Sequence, residues 1–446
     1  MVLSKRNGMR SIGIFILVLL VACTACTSVG ANDTTIETER GSFSTPTPTL
    51  SLVEGGPSFV VPDDGIKLSQ KQIDAIGSFS DAFFEHARKE SNALISPVSA
   101  YIALSMAAIG SNGETAQAFE RALGLNSQEL LLVYKALQRM LPTTGLSKFE
   151  MLNAAFLSTK TSFYQSYVDA AEEVFAARVE PIQDVDPVAQ VNRWSSEATH
   201  GHIPELITKE DLEKLRLTNA TAFFLVNALY MHAVWKLPFQ SAQTREAPFF
   251  PSVGKETTAL FMNRVFTREE EVYYFKTDDA QGILLPYLDS DLLFLAALPI
   301  GKDIGELKIR NIGNWIDAAT VNGGYEELAL SLPKIDRQYA VTLDGWLKND
   351  LGLNLAMDPN NADFSNMVPP KLLLNNNIYL ATCIQKTSLR VDEAGTEGAG
   401  VSVVVGGFGA HPSKDYYQLV FDRPFIYAVV DANSEIPFFL GVLEDF

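Results

Sequence analysis

Residues 393–410 read Glu393-Ala-Gly-Thr-Glu-Gly-Ala-Gly-Val-Ser-Val-Val-Val-Gly-Gly-Phe-Gly-Ala410, and the stretch has two readings at once. Its glycines suit an exposed loop, because a residue without a Cβ accepts almost any backbone angle. Counted in alternation, the same residues make a competent strand. Thr396, Gly398, Gly400, Ser402, Val404 and Gly406 fall on one face, all small and none charged. Glu397, Ala399, Val401, Val403, Val405 and Gly407 fall on the other. Proline would remove a ladder hydrogen bond, and none occurs between Glu393 and His411. Fully extended, residues 396–409 would span roughly 46 Å at about 3.3 Å per residue. A segment that is a loop now and a buried strand later is a candidate one-shot conformational switch.

Outward from that stretch, the chain divides by pattern. Ile73, Ile76, Phe79, Phe83, Phe84 and Ala87 recur at helical spacing. Ser96-Pro97 breaks the run, and residues 100–109 form a second, mostly apolar helix; further helical patterns cover 115–123 and 127–140. From residue 154 strand patterns dominate, at 154–158, 221–230, 282–286, 292–298 and 327–332. A helix is expected at 341–351, and residues 416–442 are nearly all strand pattern with turn residues at 431–434. Helices first and strands later, without βαβ alternation, predict an α+β fold. No linker interrupts residues 65–446, which predicts one large domain there.

Motifs spread through that domain carry a resemblance. They are Ser96-Pro-Val-Ser99 within 92–106, Gly110-Ser-Asn-Gly-Glu-Thr115, Asn192-Arg-Trp194 and Thr199-His-Gly-His-Ile203. Val226-Asn-Ala-Leu-Tyr230 then runs on to Trp235 and Pro238-Phe239. Leu332-Pro-Lys-Ile335, Ala362-Asp-Phe-Ser365, the 393–410 stretch and Leu419-Val-Phe-Asp-Arg-Pro-Phe425 complete the set. In number, order and spacing these motifs resemble the serpins. The resemblance implies helices plus three β-sheets, with a large central sheet and an exposed reactive centre loop. It also implies a serine protease inhibitor that is cut in the loop, forms an acyl-enzyme, and traps the attacker by inserting the cut loop as a new strand.

Carried over residue by residue, the resemblance makes Glu393, Gly395, Thr396, Gly398, Gly400 and Ser402 the hinge. The reactive bond falls at Gly409–Ala410, with cleavage after Phe408 as the close competitor and Lys414 as an outside candidate. Ser96, Ser99 and Asn227 match polar groups that meet under the strands that must part; the fourth member, often His in the family, is Gln385 here. Gln offers a donor and an acceptor, so such a network can survive without pH sensitivity. Trp235 matches the tryptophan at the point where the loop first enters the sheet. Lys334 and Glu393 match a cation and anion that pair at the top of the opening.

The N-terminus reads as an export signal over residues 1–22, with Lys5, Arg6 and Arg10 before an apolar run at 12–21. Leu20-Val-Ala-Cys23 resembles a bacterial lipobox, which implies a lipid on Cys23 and an extracytoplasmic protein anchored to the cell membrane or secreted. Residues 23–64 are rich in Ser, Thr, Pro and Gly and read as a flexible tether. The net charge of −18 argues against nucleic acid and anionic lipid as partners. The expected partner is a target protease, serine or cysteine, met by a monomer without cofactor or metal. Only Cys383 lies in the domain, so no disulfide framework is expected and a buried structural thiol is favoured over a nucleophile.

Enzyme readings fare poorly. Gly395-x-x-Gly398-x-Gly400 lacks the Gly-Lys-Ser/Thr of a phosphate loop and follows acidic residues. His200-Gly-His202 has no third ligand at a convincing spacing and reads as a surface turn. No Gly-x-Ser-x-Gly elbow is present. The alternatives are a non-inhibitory serpin-fold surface binding protein, whose loop stays out after cutting, and a surface lipoprotein that binds a solute or carbohydrate.

Overall fold

The computed structural model describes residues 49–59, 61, 67–141, 145–182, 186–211, 223–372, 378–396 and 416–446. The export signal, Cys23, the tether up to residue 48, and Gly398, Gly400, Ser402, Phe408, Gly409, Ala410 and Lys414 lie outside the described residues.

The helices are α1 (Gln70–Ala87), α2 (Pro97–Gly110), α3 (Gly113–Leu123), α4 (Ser127–Met140), α5 (Gln165–Asp169), α6 (Pro187–Ala198), α7 (Ile312–Asp317) and α8 (Asp344–Asn349). Helix α1 starts where Ser69 and Gln72 form a reciprocal capping box, and it buries Ile76, Phe79, Phe83 and Phe84. Helix α2 is capped by Ser96, opens on Pro97 and is apolar all round. Such a helix has to be central, and every residue of it except Ala103 is buried. Gly124, in the left-handed region at φ 73°, ends α3.

The first strands are β1 (Ser51–Val53), β2 (Leu94–Ile95), β3 (Lys148–Leu157), β4 (Ser162–Tyr164), β5 (Ala177–Pro181) and β6 (Phe223–Val234). Next come β7 (Arg245–Phe249), β8 (Thr257–Thr267), β9 (Tyr273–Lys276), β10 (Ala280–Pro286), β11 (Leu292–Pro299), β12 (Thr320–Val321) and β13 (Glu327–Pro333). The last are β14 (Ile335–Thr342), β15 (Ile384–Val391), β16 (Gly395–Thr396), β17 (Tyr416–Val420), β18 (Phe425–Asp431) and β19 (Pro437–Leu443).

Among the described residues these strands build three sheets and a two-stranded ribbon. The seven-stranded sheet has the order β12-β9-β10-β11-β18-β19-β2, and its strands β18 and β19 are buried end to end. The four-stranded sheet is β17-β13-β8-β7, and the six-stranded sheet is β14-β15-β16-β6-β3-β5. The six-stranded sheet separates two apolar layers. Odd-numbered β6 residues such as Leu229, Met231 and Ala233 join the main core with α2. Even-numbered Val226 and Ala228 join a smaller core around Trp194 of α6.

Two expectations are corrected. Val341 and Thr342 belong to strand β14, so the helix expected from 341 begins only at Asp344. The stretch read as tether is docked at its C-terminal end. Strand β1 pairs in parallel with β4, the Ser51 and Ser162 hydroxyls meet at 2.7 Å, and Leu50, Phe59 and Val61 pack on the main core.

Candidate functional site

Strand β6 runs out at Val234 into Trp235, and the head of the six-stranded sheet is organised by that indole. The Trp235 backbone N–H donates to the carbonyl of Ala394 at 2.9 Å, and its Nε1–H donates to the carbonyl of Asp392 at 2.8 Å. The ring lies flat on Tyr287, centroids 4.8 Å apart and planes 8° apart. Asp392 in turn makes a tight turn: its carboxylate accepts from the Ala394 N–H, and its own N–H donates to the Gly395 carbonyl, each at 2.9 Å. The turn brings Gly395 and Thr396 back between two strands. Gly395 pairs with Val234, and Thr396 sits opposite both Ala233 of β6 and Val391 of β15.

Chain chemistry explains both residues. A Cβ on Gly395 would overlap the carbonyl oxygen of Ala233, so only glycine allows this approach. Thr396 is fully buried, and its hydroxyl meets that of Tyr287 at 2.5 Å. Burial pushes the Tyr287 phenol far above its ordinary range, so it stays protonated.

Glu393 anchors the same turn from the other side. Its carboxylate lies 2.7 Å from the Lys334 ammonium and accepts from the Thr244 hydroxyl at 2.7 Å; its carbonyl accepts from the Phe239 N–H at 2.9 Å. Burial opposes ionisation of this carboxyl, but the Lys334 and Thr244 contacts outweigh it and hold its pKa below the ordinary value. Lys334 and Glu393, read from sequence as a pair, are in contact.

Lower in the sheet, Gln385 of β15 uses both ends of its amide on the N-cap of α2. Its Oε1 accepts from the Ser96 N–H at 3.0 Å, and its Nε2 donates to the Ser96 carbonyl at 2.7 Å. The Ser96 hydroxyl donates to that of Ser99 at 2.9 Å. Asn227 stands apart from this trio. Its Nδ2 donates to Asn153 Oδ1 at 2.7 Å, and Asn153 in turn donates to the Phe175 carbonyl at 2.5 Å. The Asn227 Oδ1 is buried without a partner among the described residues. Asn227 and Gln385 nevertheless border one small cavity, so they face each other across a gap.

That gap is a feature of the sheet. Strand β16 joins β15 to β6 only at Gly395 and Thr396, and among the described residues no ladder joins β15 to β6 below them. Cys383, at the foot of the gap, is a free thiol; burial and the neighbouring Asp344 carboxylate push its pKa up to about 12, against a nucleophilic role.

Tyr287, Thr244, Asp392 and Asn153 are site residues that the sequence reading missed. Asn153 left a readable signal, a lone amide on the buried face of an apolar strand. Tyr287 and Thr244 left none, because their partners lie 109 and 149 positions away. The motif Asn192-x-Trp194 explains itself in place: Asn192 Oδ1 accepts from the N–H groups of Leu206 and Ile207, and the Thr199 hydroxyl accepts from the Ile203 N–H. His200 and His202 both pack on Tyr230, and among the described residues no group of side chains is arranged to hold a metal ion.

The family profile described as "Serpin (serine protease inhibitor)" matches residues 74–445. The chain belongs to the serpin family. Serine protease inhibitor 42Dd of Drosophila melanogaster is 29% identical over 357 residues, covering 77% of this chain and 89% of the other. A serpin-like protein of Thermococcus kodakarensis is 25% identical, covering 97% and 98%. Among solved structures, the thermophilic serpin tengpin in its native state superposes with a TM-score of 0.74 at 25% identity, covering 89% of this chain and 98% of that one. Serpins are generally protease inhibitors and not enzymes.

Proposed function

We propose that this serpin inhibits serine proteases by suicide trapping, with the loop beyond Thr396 inserting as a strand once it is cut. One observation carries the reading: Gly395 and Thr396 are already paired between β15 and β6, while those two strands are unjoined below. Continued residue by residue, that register would set Gly398 and Gly400 beside Leu389 and Thr387, and Ser402 between Gln385 and Asn227. All three would face the α2 side, where small side chains are required because α2 fills the space beneath. A bulky charge there would be buried without a partner, which costs several kcal/mol. The protease dragged along by insertion loses its catalytic geometry, and displacements near 1 Å already cost about a hundredfold in rate.

The test mixes the protein with elastase, chymotrypsin, trypsin and subtilisin. At least one denaturant-resistant covalent band is expected; clean cleavage of the loop without any band across the panel rejects inhibition. A melting temperature that stays unchanged on cleavage would favour the non-inhibitory reading. Gly409–Ala410 is the proposed reactive bond, and sequencing the nicked chain checks it.

We further propose that the protein acts outside the cytoplasm, held by a lipid on Cys23. The support is the basic and apolar leader followed by Leu20-Val-Ala-Cys23. Incorporation of radiolabelled lipid, abolished by Cys23→Ala, tests this.

A further inference from the structure

Past the ends of β7, β9 and β11, the four-stranded and seven-stranded sheets enclose a cleft of about 840 Å³. No residue of the six-stranded sheet lines it, and all its lining residues fall within the described stretches 223–372 and 416–446. Two backbone hydrogen bonds shape it. The Phe250 N–H donates to the Asp422 carbonyl at 2.7 Å, which sets the Arg423-Pro424 turn against the end of β7. The Ile300 N–H donates to the Asp279 carbonyl at 2.9 Å, which sets the turn after β11 against the β9–β10 hairpin. Pro299, Ile300, Ile304 and Pro424 supply rigid apolar surface, and the Phe250 ring lines the cleft while 47% exposed.

Its polar lining decides what kind of molecule suits it. Gln281 of β10 is oriented by two tyrosines: its Oε1 accepts from the Tyr417 hydroxyl at 2.7 Å and from the Tyr274 hydroxyl at 3.4 Å. Its Nε2 hydrogens are left without an acceptor among the described residues. Lys276 of β9 is the cross-strand partner of Gln281, so the two side chains share one face of the ladder. Lys276 makes no ion pair among the described residues, and Lys302 comes only within 3.9 Å of Asp279. Arg423 holds Asp422 through Nη1 alone, at 3.2 Å. Two exposed carboxylates, Asp303 and Glu306, line the cleft as well, and Glu306 accepts from the Asp303 N–H at 3.3 Å. They offset part of the positive charge, so charge alone does not retain a bare ion here. Directed donors beside apolar surface suit an anionic group carried on an apolar body.

We propose that this cleft binds a small aromatic carboxylate, its ring on the Phe250, Pro299 and Ile300 surface and its anionic group on Gln281 and Lys276. The ring gains by leaving water for that surface, and the carboxylate accepts a charge-assisted hydrogen bond from the Lys276 ammonium and a second from the Gln281 amide. Neither half suffices without the other. The site does not depend on the trapping reading.

Titrating the full-length protein with 2-naphthoate by calorimetry tests the site. One saturable site per chain is expected, weaker by about tenfold or more for neutral 2-naphthamide, which lacks the charge, and for acetate, which lacks the ring. Gln281→Glu keeps an acceptor for both tyrosine hydroxyls and turns the donor into a carboxylate. It should weaken 2-naphthoate by about tenfold or more and leave 2-naphthamide nearly unchanged. Lys276→Gln changes an exposed side chain, so the fold is not at stake, and should weaken 2-naphthoate in the same direction. No saturable heat, equal affinity for 2-naphthamide or acetate, or an affinity for 2-naphthoate that Lys276→Gln leaves unchanged overturns the proposal. The titration contains no protease, so its failure leaves the trapping reading standing, and a failure to trap leaves the titration standing.

Discussion

The hydroxyls of Thr396 and Tyr287 lie 2.5 Å apart with both residues sealed from solvent, so each is the other's hydrogen-bond partner. Removing one side strands the other, which costs about 1–3 kcal/mol for a buried hydroxyl. Thr396→Val and Tyr287→Phe should therefore each destabilise the intact protein by about that amount. The double variant should cost clearly less than the sum of the two. Urea unfolding of the four proteins measures it, and simple additivity would show that the contact holds nothing in place.

Glu393 makes the same turn sensitive to acid. Its folded pKa lies below the ordinary carboxylate value, so its pairing with Lys334 and Thr244 stabilises the fold fully above that ordinary value. The contribution fades as pH falls through the folded pKa. Glu393 is mostly but not wholly covered, which sets the pair between exposed and buried cases, at about 1–2 kcal/mol. Glu393→Gln should lower the melting temperature more at pH 7 than at pH 3. Equal losses at both values would mean that the carboxylate charge is not what matters.

Gly395→Val examines what the pairing of Gly395 and Thr396 between β15 and β6 contributes. The new side chain cannot pass the Ala233 carbonyl, so Gly395 and Thr396 must leave the sheet. The amide of Trp235, which donates to Ala394, should then exchange with solvent faster by about tenfold or more, the equivalent of about 1.4 kcal/mol. Trapping should fall in favour of simple cleavage. Unaltered exchange at Trp235 would show the backbone adapting without release.

Much of this was legible in the chain, for reasons that differ from place to place. Strands β10 and β11 are continuous apolar runs between turns and were found within two residues at either end. Lys334 and Glu393, and Ser96 with Ser99 and Gln385, could be named because the motifs around them fix their positions. Asn227 was grouped with that trio, but it turns to Asn153, since a side chain's neighbour across a sheet depends on register and not on composition. Strand β14 was missed because Asp336, Arg337, Gln338 and Tyr339 are polar or half exposed; its place is set by eight residue pairs with β15. Strand β1 sits in a segment whose Ser, Thr and Pro content reads as unstructured, and only its ladder with β4 reveals it.

Docking of that segment gives a separate prediction. Gly56 has φ 89°, and a Cβ there would fall 2.7 Å from both the Tyr164 ring and the Ser166 hydroxyl. The Ser166 hydroxyl also donates to the Gly55 carbonyl at 3.0 Å, so the turn is held closely. Gly56→Val should undock residues 49–61 at a cost of about 1–3 kcal/mol. Limited proteolysis should then cut within 50–61 while the rest of the domain resists. A digestion pattern identical to the parent would show that the ribbon tolerates the change.

Asn227 carries the sharpest test of insertion. Its buried Oδ1 has no partner among the described residues, although a buried acceptor normally finds one. The continued register would bring Ser402 alongside it, with Gln385 on the other flank, so that the Ser402 hydroxyl could donate to Oδ1. Ser402→Ala removes the donor without adding bulk. The melting temperature of the intact protein should be unchanged, while the rise on loop cleavage should shrink by the equivalent of about 1 kcal/mol. In an Asn227→Ala background, Ser402→Ala should have no such effect, because the acceptor is gone. If Ser402→Ala leaves the cleaved form as stable as the parent while Asn227 is intact, the inserted strand does not follow the register that Gly395 and Thr396 begin.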